Sequence, residues 1–418
     1  MKFFHQDLKI KEKGVGPIRI EIKKSGFGYV RSLCACLGLL WVFSSANAAQ
    51  IIPAAPQLSA EGYMLIDANT GEILVEHNSQ QRLPPASLTK MMTSYVASSE
   101  IVNNTLNVDE DVDISVRAWR TEGSRMFVKE GTKVKVSDLL SGIIIQSGND
   151  ASVALAEHIA GSEGAFADVM NQQAELLGMM DSHFMNATGL PDENHYTTAS
   201  DLAKLTIALI NDYPEHYKLY GEKYFTYNDI RQPNRNQLLW RDKSVDGVKT
   251  GHTKAAGYCL VSSAVRNGMR LIAIVMGAKS EEGRAVESQR LLSYGFRYYE
   301  TLSLYQADEV LKKARVWGGQ TPEINLGLAE SLVITVPRGA KKTLEASMDI
   351  QQVIKAPIKK GQFFGKLTIM NGDEEIASVD LVALMDHEEG GFFKRLWDAV
   401  VLFFAGLFSG DTLSVIES

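Results

Sequence analysis

Between Gly62 and Asn78 the chain alternates apolar and polar residues, in GYMLID and ILVEHN, on either side of Asn69-Thr70-Gly71. A period of two around a glycine turn predicts two antiparallel strands. Pro84-Pro85-Ala86-Ser87 breaks the alternation, and apolar residues at 88, 91, 92, 95 and 96 predict a helix that begins beside Ser87. Further on, Ser137 is placed to cap a second helix running to Ile145, while Asn149-Asp150 opens a third that stops at Gly161. Helical periodicity continues over residues 163–210. After Gly247 the pattern turns to strand, with AGYCLVSSAV and MRLIAIVMGA flanking the hairpin signal Asn267-Gly268. Helices between two strand-rich ends predict an α+β layer domain, an antiparallel sheet with helices, over residues 53–302.

Beyond it lie short β-prone runs at Leu332–Val336, Leu344–Ile350, Phe363–Met370 and Glu375–Leu384, separated by Pro, Gly and Lys and including an Asn371-Gly372 turn. They predict a small all-β sandwich domain over residues 303–386. Residues 387–410 change character: Phe392, Phe393, Leu396, Trp397 and the run to Phe408 form an apolar helix after Gly390-Gly391. Its uncharged part is too short to span a bilayer. Lying in the membrane interface is the favoured expectation, because the segment is terminal, rich in Phe and preceded by a glycine hinge. A core helix docked on the β-rich domain is the alternative.

The other end of the chain carries an address. A basic stretch of about 32 residues precedes the apolar run Leu33–Phe43, and Ala46-Asn47-Ala48 supplies a small-x-small cleavage site. Residues 1–48 therefore read as a secretory signal peptide, and the mature protein as exported. Cys34 and Cys36 fall inside it, which leaves Cys259 between apolar neighbours as a buried thiol without a disulfide partner. The composition is globular, with 45% hydrophobic and 22% charged residues. A formal charge of −7 over 418 residues supplies no footprint for a phosphate backbone, so nucleic acid is not an expected partner. The histidines lack paired ligand spacing, so neither a metal site nor a cofactor is expected. Met91, Met92, Met179 and Met180 sit in apolar helical stretches and read as core.

Three short motifs occur in order: Ser87-Leu88-Thr89-Lys90, Ser147-Gly148-Asn149 and Lys249-Thr250-Gly251. Singly they are weak, since a chain of this length shows about 1.5 Ser-x-x-Lys by chance. Order and local context give them weight. Ser87 and Lys90 stand three apart at a helix start and share a face, so the amine can reach the hydroxyl. A serine is a poor nucleophile until a base takes its proton. A desolvated lysine near a second cation, here Lys249, can be that base. The helix N-terminus points N–H groups at an oxyanion formed on Ser87. Ser147 and Asn149 precede a helix, where a hydroxyl can relay a proton and an amide can hold a substrate amide. Lys249-Thr250-Gly251 opens a strand whose edge can pair with an extended peptide, and Gly251 leaves room for it.

With these residues the chain resembles the serine penicillin-recognising acyl-transferases. The longer strings Pro85–Thr93, Gln146–Ala151 and Asp246–Thr253 look like the D-alanyl-D-alanine carboxypeptidases of the low-molecular-mass penicillin-binding protein family. The resemblance implies a transpeptidase-like catalytic domain, a β-rich domain and an amphipathic anchor, on the outer, periplasmic face of the inner membrane. It implies that Ser87 attacks the bond between two D-alanines of a peptidoglycan stem peptide, and that β-lactam antibiotics acylate the same residue. By the same resemblance Lys90 is the base, Ser147 and Asn149 assist, Lys249 tunes the site, and the N–H groups of Ser87 and His252 form the oxyanion hole. Thr250 would bind the terminal carboxylate, with Arg284 and Arg235 as further candidates for it.

Two departures from the family pattern qualify this. Residues 117–127 are shorter than the loop seen in the best-known members, which weighs against a lid there. Residues Asn186–Glu193 lack the Glu-x-x-Leu-Asn pattern of deacylating β-lactamases, so Glu193 is not expected to be a hydrolytic base. The rival readings are a D,D-endopeptidase, a weak β-lactamase, or a cell-shape scaffold with a vestigial site.

Overall fold

The computed structural model describes residues 52–408, so the signal segment lies outside the described residues. The chain forms two compact units. The first comprises 52–301 with 335–338, and the second comprises 302–334 and the residues from 339 onward.

The first unit is built on one five-stranded antiparallel sheet. Its strands are β1 (Gly62–Asp67), β2 (Ile73–His77), β3 (Val245–Thr253), β4 (Gly257–Arg266) and β5 (Met269–Ala278). Their spatial order is β2-β1-β5-β4-β3, which leaves β3 on an edge. Successive side chains of a strand point to opposite faces. Met64, Ile272, Ile274 and Met276 therefore enter one core, which includes Met91, Met92, Leu155 and Leu202. Leu65, Leu271, Ala273 and Val275 enter the other, where they meet Leu291, Leu292 and Phe296. A sheet covered on both faces explains why MRLIAIVMGA reads as a nearly continuous apolar run.

Five helices of this unit frame the site: α1 (Lys90–Val102), α2 (Asn149–Ala160), α3 (Glu163–Leu176), α4 (Ala199–Asp212) and α5 (Glu281–Tyr298). Helix α1 is buried on all sides from Lys90 to Ser98, so its hydroxyls find partners inside. Thr93 donates to the Ala187 carbonyl at 2.7 Å, and Ser94 to that of Met91 at 3.0 Å.

Several sequence expectations change. The helix of residues 136–141 starts at Val136, with Ser137 inside it rather than capping it. It passes into a wide π-type turn over Gly142–Gln146. The periodicity over 163–210 belongs to two helices, α3 and α4. Residues 177–198 between them are irregular, because Gly178 and Gly189 take positive φ values of 69° and 83° that a helix does not accept. Met91, Met92 and Met179 are core, as expected, but Met180 is 71% exposed. Cys259 is buried and free.

The second unit carries a six-stranded sheet. Three of the four runs foreseen in the sequence, Leu344–Ile350, Phe363–Asn371 and Glu374–Ala383, are strands of it, and Lys312–Trp317, Glu323–Gly327 and Ile354–Lys355 add three that alternation alone did not reveal, while the fourth run, Leu332–Pro337, is a strand of a separate two-stranded sheet. Helix α6 (Phe392–Phe408) closes the described chain. Gly390 is not the exposed hinge expected, since it is buried and its N–H donates to the Gly318 carbonyl at 2.8 Å. Lys394 donates to the Gly319 carbonyl at 2.5 Å, and Asp398 accepts from the Gly318 N–H at 2.9 Å. The charged side of the first turns is thus spent on the unit's own loop. Phe393 (84%), Trp397 (69%) and Phe403 (67%) face outward. Among the described residues no helix is long and apolar enough to cross a membrane.

Candidate active site

Ser87 lies in a single 3-10 turn, Ala86–Thr89, which leads directly into α1. Ala86 is held at φ 48° although it is not glycine, which presents Ser87 at the start of the helix. Two glycines allow this turn to be packed. A Cβ on Gly189 would come 1.8 Å from the Ala86 carbonyl oxygen. One on Gly251 would meet the Pro85 oxygen at 3.0 Å and Ala86 Cβ at 3.2 Å. Gly251 therefore also makes room for the turn that carries Ser87.

Lys90, the first residue of α1, is fully buried. Its Nζ stands 3.2 Å from Ser87 Oγ, 2.7 Å from Asn149 Oδ1 and 2.5 Å from the Thr188 carbonyl oxygen. Burial, together with the Arg235 charge, brings its pKa down to about 7, against the opposing pull of Asp150 and Glu163. A neutral amine has two hydrogens and one lone pair. With the hydrogens given to Asn149 and Thr188, the lone pair is left for the Ser87 hydroxyl.

Asn149 opens α2 and ties three segments together. Besides accepting from Lys90, it donates from Nδ2 to the Glu122 carbonyl at 2.6 Å, and its backbone N–H donates to Ser124 O at 2.7 Å. Asp150, fully buried beside it, accepts backbone N–H bonds from Met126, Phe127 and Val128 at 2.8–3.2 Å. In the sequence Asp150 is legible only as part of a helix start. An acidic residue in a first turn with free N–H groups nearby was the available signal. Ser147, at φ 65°, joins the π-type turn to α2, and its buried Oγ has no hydrogen-bond partner among the described residues.

On the edge strand, Lys249 is 3% exposed and donates from Nζ to the Thr250 carbonyl at 3.2 Å. Burial first, then Lys90, Arg235 and Arg284, hold its pKa well below that of an ordinary lysine. The motif lies inside β3, which begins at Val245, rather than at a strand opening. Arg284 comes from the first turn of α5, is buried, and donates to the Gly251 carbonyl at 3.1 Å while pairing with Glu281 at 3.1 Å. His252 is exposed and stacks on Tyr258 with ring centroids 4.0 Å apart.

All of these surround one cleft of about 530 Å³. Its walls carry Ser87, Ser147, Asn149, Arg235, Thr250, Gly251, His252 and Arg284, so the structure brings eight of the ten residues singled out in the sequence to the cavity surface. Lys90 and Lys249 lie behind that surface. Ser124, Thr188, Leu190, Tyr258 and Glu281 also line it and were not foreseen, because their neighbourhood is created by chain segments distant in sequence. Glu193 lies on a different, adjoining cavity. With Arg235 and Arg284 against one acid, Glu281, on its walls, the cleft suits an anionic ligand.

Comparison with known proteins agrees with this arrangement. Residues 49–280 match the family model described as D-alanyl-D-alanine carboxypeptidase. The chain belongs to that family. Residues 299–389 match a second model, the penicillin-binding protein 5 C-terminal domain. The D-alanyl-D-alanine carboxypeptidase DacC of Escherichia coli strain K12 is 42% identical over 384 residues, covering 90% of this chain and 96% of that protein. The crystal structure of penicillin-binding protein 5 from Haemophilus influenzae is similar with a TM-score of 0.77 at 42% identity, covering 81% of this chain and all of that one. Penicillin-binding protein D2 of Listeria monocytogenes in its ampicillin-bound form matches with a TM-score of 0.54 at 32% identity, covering 58% of this chain and all of that one.

Proposed function

We propose that this family member is a serine-type D-alanyl-D-alanine carboxypeptidase that removes the terminal D-alanine from peptidoglycan stem peptides. The observation that carries the reading is Lys90: fully buried, with a pKa brought down to about 7, 3.2 Å from the Ser87 hydroxyl. Neutral Lys90 takes the proton as Ser87 Oγ attacks the carbonyl between the two D-alanines. The N–H groups of Ser87 and His252 hold the oxyanion. The proton returns to the leaving amine through Ser147, whose unpartnered hydroxyl supports a relay role. D-Alanine departs, and water releases the acyl-enzyme. Thr250 and Arg235 receive the terminal carboxylate, and Arg284 supports it by holding the Gly251 carbonyl. Asn149 positions Lys90. A β-lactam acylates Ser87 along the same path, in keeping with the ampicillin-bound relative.

Residues 53–302 are the catalytic domain on this reading and 303–386 a supporting β-rich domain. Residues 1–48 direct export to the periplasm. Helix α6 lays its exposed Phe and Trp side chains in the outer leaflet of the inner membrane. The deciding experiment is acylation by a fluorescent penicillin and D-alanine release from a D-Ala-D-Ala peptide, wild type beside Ser87→Ala. Both signals are expected, and both vanish in the variant. Label or release that survives the substitution overturns the assignment.

A further inference from the structure

Lys90 gives one of its hydrogens to the Thr188 carbonyl at 2.5 Å, so whatever fixes that carbonyl also fixes the amine. Thr188 belongs to the irregular stretch between α3 and α4, and its turn is partly self-pinned. Asn186 Oδ1 accepts the N–H groups of Thr188 at 3.1 Å and Gly189 at 2.8 Å, and Thr93 holds the Ala187 carbonyl. One further tie carries charge. Glu163, the first residue of α3, is 7% exposed and accepts the Ala187 N–H on Oε1 at 3.2 Å. Its Oε2 accepts from Arg117 Nη2 at 2.6 Å. Arg117 comes from the short helix Val116–Arg120, and its side chain is 62% exposed. A buried carboxylate left without a partner is strongly destabilising, so a guanidinium reaching in from the surface is a device that needs a reason. The mechanism above uses neither residue.

We propose that Glu163 and Arg117 are a positioning pair for the base: the carboxylate holds Ala187-Thr188 so that the Thr188 carbonyl meets Lys90 Nζ, and the guanidinium offsets the field of that carboxylate at the amine. The proposal rests on the reading of Lys90 as the base. The charge of Glu163 favours the ammonium form of Lys90, as does that of Asp150, whereas burial and Arg235 favour the neutral form. The other groups at the amine are the Ser87 hydroxyl, the Asn149 amide, Lys249, which burial holds well below an ordinary lysine, and His195, which burial holds neutral with a pKa down to about 4. Asp150 spends its carboxylate on backbone N–H groups. Glu163 is instead tied to a cation that solvent reaches, so its charge at Lys90 can be altered from the surface without touching the cleft.

The test follows the rate of acylation by a fluorescent penicillin on the full chain, over about four pH units centred near neutrality, with each profile referred to its own plateau. Arg117→Gln leaves the acid without its counter-charge. Its midpoint is expected to move up by about half a pH unit, which makes acylation about threefold slower on the acid side of the midpoint. Glu163→Gln keeps an oxygen for the Ala187 N–H and removes the charge. Its midpoint is expected to move down, which makes acylation about threefold faster there. A purely structural role would alter the plateau or the melting point without moving the two midpoints apart. Glu163→Ala removes the acceptor as well and is expected to lower the plateau about tenfold, most of which Glu163→Gln retains. Wild-type midpoints in both charge variants, or shifts of the same sign, overturn the proposal and leave the base in place. A wild-type profile that does not rise toward about pH 7 overturns the Lys90 reading and the proposal with it.

Discussion

The catalytic cleft and the terminal helix invert the usual rule of burial in opposite directions. Around Ser87 the chain buries what is normally exposed: Lys90, Ser147, Asn149, Lys249 and Arg284 are each at most 5% exposed. Along α6 it exposes what is normally buried, including Phe393, Trp397 and Phe403. Charged groups are almost never fully buried unless paired, yet neither lysine meets a carboxylate within ion-pair distance among the described residues. The cost of burial is met by depressing the pKa and by neutral acceptors, and that makes an amine a base. On the helix the cost is exposed apolar area, which a lipid surface would remove. A departure from the burial rule thus points to chemistry in one region and to a partner in the other.

The comparison can be broken most severely at Ser87. Ser87→Ala is expected to lower acylation and D-alanine release by about 10⁴-fold or more, since no other hydroxyl of the cleft has a base at hand. Fluorescent-penicillin labelling checks it, and a persistent label on Ser147 would assign the nucleophile differently. Lys90→Ala removes the base while keeping the hydroxyl, and a loss of about a hundred- to ten-thousand-fold is expected in the acylation rate. On the helix side, Phe393→Asp with Trp397→Asp is expected to weaken liposome binding about a hundredfold and to leave penicillin acylation unchanged. Equal sedimentation of variant and wild type with liposomes would show that the exposed face serves something else.

A pH profile sharpens the argument at smaller amplitude. Only neutral Lys90 can accept the proton, and its pKa is lowered to about 7. The acylation rate constant should therefore rise about tenfold per pH unit below 7 and level off above it. A plateau that begins only near the ordinary lysine value would mean that burial does not depress this amine. Least in effect is Gly251→Ala, whose Cβ presses on the Ser87 turn at 3.0–3.3 Å. A cost of about 1–2 kcal/mol is expected, seen as a melting point lower by a few degrees.

Much of this was legible in the sequence because it is local. The hairpin at 62–77, the pair flanking Asn267-Gly268, the α2 stop at Gly161 and the full extent of α6 each follow from a period and a punctuating residue. The Ser87–Lys90 pairing follows likewise from a three-residue spacing at a helix start. What was misread depended on neighbours far along the chain. Ser137 looked like a cap because its hydroxyl type fits one. Residues 177–198 looked helical because apolar spacing persists across a segment that packs without being helical. Gly251 is legible in the sequence as space beside a ligand, whereas its close packing on Pro85 and Ala86 is not.

The order of the three motifs, the apolar and polar periods and the composition thus determined the family, the layer architecture and the residue types at the nucleophile. Tertiary structure alone decided which carbonyls take the Lys90 hydrogens, that Asp150 holds the loop at 126–128, that Lys90, Arg235 and Arg284 sit close enough to Lys249 to lower its pKa, and that a second cavity adjoins the first. The reason is range. Hydrogen bonds along a strand or helix are set by a few consecutive dihedral angles, whereas the pKa of a buried amine sums burial and charges contributed by segments more than a hundred residues apart.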